Sequence, residues 1–105
     1  MTFDRLPDLD PDAGEVIDEE LAVSDDVLVK AFALGPGAEL DPHVHDGAAN
    51  VFHVLDGTVT VVQDDTEERI TAPGVVFHER GQSHGARNET EEVAILTASL
   101  CPLPG

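Results

Sequence analysis

The sequence predicts an all-β sandwich or barrel, and three observations carry that prediction. Short runs rich in Val, Thr, Ile and Leu recur at close spacing. Turn signals built from Gly, Pro and Asp separate them. No segment sustains a helical periodicity. The chain has 105 residues, enough for one domain around one core.

The elements follow in order. Residues 1–15 are rich in Asp and Pro and read as an acidic, solvated arm, with Leu6 and Leu9 able to pin it to the barrel or to a second subunit. A barrel domain is expected over residues 16–105. Val27 to Leu34 is a β-type run with Lys30 in its middle, and Gly35-Pro36-Gly37 turns the chain. Asn50 to Leu55 is a second run, and Asp56-Gly57 is a two-residue hairpin cue that returns the chain as Thr58 to Gln63. Gly57 is the residue that supplies a positive φ there. Asp64-Asp65 leads to Glu68 to Thr71, and Pro73-Gly74 leads to Val75 to His78. His84 to Asn88 and Val93 to Leu100 complete the set, and Pro102 and Pro104 end it.

Apolar residues make up 41% of the chain, enough for a core, but the only aromatics are Phe3, Phe32, Phe52 and Phe77. Val, Leu and Ala must therefore fill it. Twenty-two acidic residues face five basic ones, a net charge of -17, and Lys30 is the only lysine. No basic patch exists to neutralise phosphates, so nucleic acid and anionic membranes are excluded as partners. Disorder is excluded too, because a disordered chain also lacks apolar residues. The balance reads as adaptation to concentrated salt, where screening shortens to about 3 Å at 1 M and self-repulsion fades. A haloarchaeal cytosolic protein is expected, with an acidic mesophilic protein as the alternative. Cys101 is alone, which rules out an internal disulfide, and a buried site is expected for it. Met1 to Asp12 shows no basic stretch followed by an apolar one, and no segment is long and apolar enough to span a membrane, so a cytoplasmic location is expected.

All five histidines lie between residues 43 and 84. His43 and His45 are two apart, so on a strand both point to one face. His84 begins a different strand. Three imidazoles meeting from two strands make an open metal site, which leaves positions for water or substrate. For the His-x-His pair taken by itself, a half-exposed polar strand face is the simpler explanation.

The glycine spacings add to that pattern. Gly37 is followed by five residues, His43-Val44-His45, four residues, Asn50, six residues and Gly57. A second block runs Pro73-Gly74, then Gly81, two residues, His84, three residues and Asn88. Residues 37–88 thereby resemble the cupin family. Its first motif is glycine, five residues, His-x-His, three or four residues, glutamate, six residues, glycine; its second ends in glycine, two residues, His, three residues, asparagine. The resemblance implies a single-domain double-stranded β-helix, or jelly-roll barrel. It implies His43, His45 and His84 as ligands of one divalent transition metal (iron, zinc, nickel or manganese), with Asn50 at the fourth ligand position. The chain departs from the family at three places. Asn50 replaces the glutamate, the second block is one residue short between Gly74 and Gly81, and Glu79 stands where proline is usual.

Asn50 shares parity with Phe52 and Val54 and should face the interior. Its amide oxygen can coordinate a metal without adding charge; the preferred alternative is a hydrogen bond to a metal-bound water or to a ligand imidazole. Either way the metal keeps its full +2 charge and should favour a small anionic substrate such as an enolate, a thiolate or an α-hydroxy carboxylate. The resemblance points to a metal-dependent oxygenase or isomerase, with a non-catalytic ligand-binding or sensor barrel and a purely structural metal site as alternatives. His53, opposite in parity, should face away as a packed or interface residue. Small cupins pair through outer sheet faces and swapped N-terminal strands, so the resemblance implies a homodimer. The parity of His78 is open. Glu79 is a less favoured source of the missing carboxylate. Arg87 is expected in a surface ion pair, Asn88 as a side-chain tie at a strand end, and Glu89, Glu91 and Glu92 on a solvated face.

Overall fold

The computed structural model describes residues 8–102. Among them are nine strands and no helix. They are β1 (Val16–Val23), β2 (Leu28–Leu34), β3 (Glu39–Val44), β4 (Ala49–Asp56), β5 (Thr58–Gln63), β6 (Thr66–Thr71), β7 (Gly74–His78), β8 (Ser83–Arg87) and β9 (Ala94–Cys101). Two antiparallel sheets form, one in the order β1-β2-β9-β4-β7 and the other β3-β8-β5-β6. This is the predicted all-β, double-stranded β-helix architecture. The sequence pattern predicts no strand over residues 16–23; Val-Ile-Asp-Glu-Glu-Leu-Ala-Val lacks clean alternation, and its pairing with β2 supplies the order that its own pattern does not.

The core lies between the sheets. Phe52 is the largest side chain buried there, beside Leu34, Val54, Val59 and Leu96, with Ala86, Ala94 and Ala98 filling the gaps. Small aliphatics do carry the interior, as the shortage of aromatics required. Leu9 is half-buried and Pro11 buried, so this part of the arm lies against the barrel instead of standing free in solvent. Leu6, Phe3 and Pro104 lie outside the described residues. Cys101, expected to be buried, is exposed at the end of β9, where the strand has run past the core.

Two turns set up the site. Gly57 has φ 76°, and a Cβ there would stand 2.8 Å from the Val93 carbonyl oxygen, so the Asp56-Gly57 hairpin requires glycine on both counts. Asp64 adopts φ 49° in the β5–β6 turn, a conformation that aspartate tolerates. Its Oδ1 accepts from Ser83 N–H at 2.9 Å, and its own N–H donates to the Ser83 carbonyl at 2.8 Å. That turn therefore clamps the residue before His84.

Candidate metal centre

His43 lies on β3 directly opposite His84 on β8. Between Leu40 and His43 the register slips, so Asp41 and Pro42 bulge opposite the single residue Gly85. A bulge re-aims the side chains that follow it, and here it turns His43 and His45 toward His84. The strands approach so closely that a Cβ on Gly85 would meet the Leu40 carbonyl oxygen at 2.7 Å. Pro42 sits at the bulge of an edge strand, where its missing N–H costs no ladder bond. Just past the strand, the His45 carbonyl accepts from Gly81 N–H at 3.1 Å.

The three histidines each offer a ring nitrogen within 4.8 Å of the other two. His43 is exposed, His45 half-buried and His84 buried. Two of the rings have a fixed tautomer. His43 Nδ1 lies 3.1 Å from the Asp41 carbonyl and His84 Nδ1 lies 3.1 Å from the Gln82 carbonyl. A carbonyl only accepts, so each Nδ1 carries the proton and each Nε2 presents its lone pair, the arrangement that orients metal-ligating histidines. Burial, with His43 nearby, lowers the pKa of His45, and burial, helped by His43 and His45 against the Gln82 hydrogen bond, lowers that of His84. Both shifts favour the neutral form that a metal needs.

Asn50 faces the interior at 2% exposure, beside Phe52 and Val54, as its parity predicts. Its Nδ2 donates to His84 Nε2 at 2.9 Å, the same nitrogen that His84 would offer to a metal. His53 is exposed and points away from the site, so it is not packed among the described residues. Glu79 is exposed and does not belong to the three-histidine group. Arg87 pairs with Glu67 at 2.5 Å and Glu89 at 3.2 Å. Glu89, expected on a solvated face, also accepts from Thr60 Oγ1 at 2.7 Å, because β5 runs beside β8 and brings Thr60 to it. Asn88 ties the end of β8, donating to the carbonyls of Leu34 at 2.9 Å and Glu92 at 2.6 Å.

His78 is the residue whose parity the sequence left open. It is fully buried, stacked on His84 with ring centroids 4.7 Å apart and set edge-on to Phe52 at 4.5 Å. Burial pushes its pKa down to about 4, with His84 and His43 adding to the shift and Asp64 opposing it. Gln63, which sequence reasoning missed, donates from Nε2 to the Phe77 carbonyl at 2.9 Å and to His78 Nδ1 at 3.0 Å. Its signal was available: Gln63 shares parity with the buried Val59 and Val61, so a polar group was bound inward.

A cavity of about 330 Å³ opens beside this cluster, within the range of small-molecule sites. Leu28, Phe32, Leu40, Phe52 and Leu100 make its walls apolar, and His43, His45, Asn50 and Asp41 line it as well. Lys30 also lines it, with Nζ 2.5 Å from Asp18 and 5.3 Å from the Phe32 ring centre.

The glycine spacings, the two sheets and the three converging histidines agree with what known proteins show. The Cupin domain model matches residues 31–100. The chain belongs to the cupin family. Among solved structures, it is similar to TT1209 from Thermus thermophilus, with 30% identity, a TM-score of 0.82 and 86% of each chain covered. It is also similar to a Klebsiella pneumoniae protein with a double-stranded β-helix domain, at 26% identity and a TM-score of 0.82, over 90% of this cupin and 83% of that chain. An RmlC-like cupin from Desulfovibrio desulfuricans shares the fold at 21% identity and a TM-score of 0.83, over 97% and 96% of the two chains. A comparison with curated protein sequences found no match. No helix among the described residues is long and apolar enough to cross a membrane.

Proposed function

We propose that this cupin binds one divalent transition metal, iron, zinc, nickel or manganese, through His43, His45 and His84, and acts on a small anionic substrate held at that metal. The observation that carries this reading is the convergence of three imidazole nitrogens within 4.8 Å at a cavity of substrate size. The donor set fits the group, since His43 and His84 each have Nδ1 tied to a backbone carbonyl; His43 Nε2 is free to ligate, and His84 Nε2 would exchange its Asn50 amide partner for the metal. A bound metal would supply Lewis acidity or dioxygen activation. The chain's own residues would do the rest. The apolar walls exclude water and Lys30 adds the one lysine charge at the cavity. Asn50 offers an amide in place of a carboxylate, so nothing in the ligand set offsets the metal's charge. Oxygenase or isomerase chemistry is the class this favours.

A ligand-binding or sensor role is the second reading, and Asn50 favours it, because an amide is a poor base. We further propose a cytoplasmic, salt-adapted homodimer. The outward face of β4 and β7 supports pairing, with Val75 64% and Phe77 53% exposed beside His53. The -17 charge supports salt adaptation. A melting temperature that climbs from dilute buffer to molar salt is expected, and one independent of salt would count against it.

The deciding experiment is elemental mass spectrometry in high salt on the wild type and the His43→Ala/His84→Ala double variant. One metal equivalent in the wild type, absent from the variant, is expected. No metal in either protein after reconstitution sinks the proposal.

A further inference from the structure

Asn50 Oδ1 and His78 Nε2 are buried without a hydrogen-bond partner among the described residues. They belong to residues paired directly across β4 and β7, both facing the interior. Buried polar groups are nearly always bonded, so two orphans side by side call for a reason.

Their polarity is fixed from opposite ends. The Phe77 carbonyl only accepts, so the Gln63 amide must turn its NH₂ toward it. The second N–H of that group then donates to His78 Nδ1. Nδ1 is therefore the bare nitrogen, and the neutral ring carries its proton on Nε2. From the other end, His84 donates through Nδ1 to Gln82, so its Nε2 is a lone pair and Asn50 Nδ2 must be the donor to it. That leaves Asn50 Oδ1 as an acceptor. One orphan is a donor and the other an acceptor. The His84 stack and the Phe52 contact hold the His78 ring in place.

We propose that His78 is a positioning residue: its Nε2–H reaches Asn50 Oδ1 through one buried water and commits the Asn50 amide to presenting Nδ2–H to the three-histidine site. Asn50 is then a donor toward the site and not a metal ligand through its oxygen. The ligand class this selects is an oxyanion with only acceptor oxygens at that position, a carboxylate or an enolate. A neutral ligand that must donate there meets the wrong end of the amide. The inference rests on the three-histidine reading above for its ligand, while the His78–Asn50 pair itself does not require a metal.

The test uses cobalt(II)-loaded protein with acetate as the probe. Cobalt affinity is read by chelator competition and acetate affinity by visible absorption, for the wild type, His78→Phe, His78→Gln and Asn50→Ala. We expect acetate affinity to fall about tenfold in His78→Phe and in Asn50→Ala, the scale on which groups behind a metal site act. Cobalt affinity should change far less in His78→Phe. His78→Gln, which keeps an N–H at the same reach, should restore acetate binding. Imidazole ¹⁵N NMR without added metal should show His78 protonated on Nε2, with that signal moved by Asn50→Ala. Unchanged acetate affinity in His78→Phe overturns the proposal. So does a loss of cobalt as large as in His84→Ala, which would make His78 a ligand. If the wild type takes up no cobalt, the three-histidine reading fails separately. The NMR arm then decides the pair, and an Nε2–H signal indifferent to Asn50→Ala refutes it.

Discussion

The two halves of the histidine cluster are built by opposite means. His43 and His45 stand at the rim, exposed and half-buried, aimed inward by a backbone bulge and tied by one hydrogen bond each. His84 lies on the floor, buried, with both ring nitrogens bonded and His78 stacked on it. The rim is positioned by backbone shape and the floor by side-chain hydrogen bonds whose direction cannot be reversed singly. Truncating the ligands should therefore separate the two: His43→Ala should act on metal affinity alone, and His84→Ala on affinity and stability together.

The largest expected effect tests that division. His84→Ala should lower metal affinity on the order of a thousandfold, about 4 kcal/mol. It should also lower the melting temperature, because it opens a cavity and strands the Asn50 amide. His43→Ala should lose metal affinity with stability within about 0.5 kcal/mol of wild type, as is usual for an exposed side chain. His53→Ala should change neither. Chelator competition and thermal melts read both quantities, and equal affinity losses in His84→Ala and His53→Ala would mean that the inward face is misassigned.

The floor also predicts an acid limb. The pKa of His78 falls from 6.5 to about 4 in the folded protein. Between those values the unfolded chain binds the proton and the folded chain does not, so stability rises with pH across that window. The contribution is complete above pH 6.5 and lost as pH falls toward about 4. It is worth about 3 kcal/mol by the linkage relation. The lowered pKa values of His45 and His84 act in the same direction. Urea unfolding at pH 7 and pH 4.5 should show a steep loss in wild type and a flatter one in His78→Gln. An unchanged slope in the variant would place the acid limb elsewhere.

The rim was legible in the sequence and much of the floor was not, for a physical reason. His43, His45 and His84 are announced by glycine spacing, and Asn50 by the period of two on a strand whose inward positions are plainly apolar. β7 gives no such cue. Its outward residues Val75 and Phe77 are as apolar as its inward Val76, so hydrophobic alternation cannot say which way His78 points. Only the register with β4, which sets His78 against Asn50, decides it. Gln63 and the Asp64 turn that clamps Ser83 are likewise products of pairing between distant strands. The fold class was readable because turn residues and strand runs are local. β1 was not, because its acidic pattern carries no periodicity.

Gly85→Ala should break the rim's backbone device without touching a ligand. The added Cβ would meet the Leu40 carbonyl oxygen at 2.7 Å and Pro42 N at 3.0 Å, so β3 must move away from β8. Overpacking of this kind costs about 1–3 kcal/mol. Because the same bulge aims His43, metal affinity should fall along with the melting temperature. A variant with wild-type affinity and a lowered melting temperature would show that the bulge shapes the barrel and not the site.

The smallest expected effect sharpens the comparison most, because it changes one charge on the floor. Asn50→Glu places a carboxylate where the amide now donates to His84. With three uncharged imidazole ligands, a bound divalent ion keeps its whole charge, and a carboxylate would offset part of it. Metal affinity should rise about tenfold, roughly 1.4 kcal/mol. The same charge should repel an exogenous anion, and the donor that Nδ2–H offers it would be gone, so acetate binding to the cobalt-loaded variant should weaken. The two readouts must move in opposite directions. If affinity for metal and for acetate rose together, the amide would not be acting as a donor toward the site, and the contrast between a shape-set rim and a hydrogen-bond-set floor would fail at the residue that joins them.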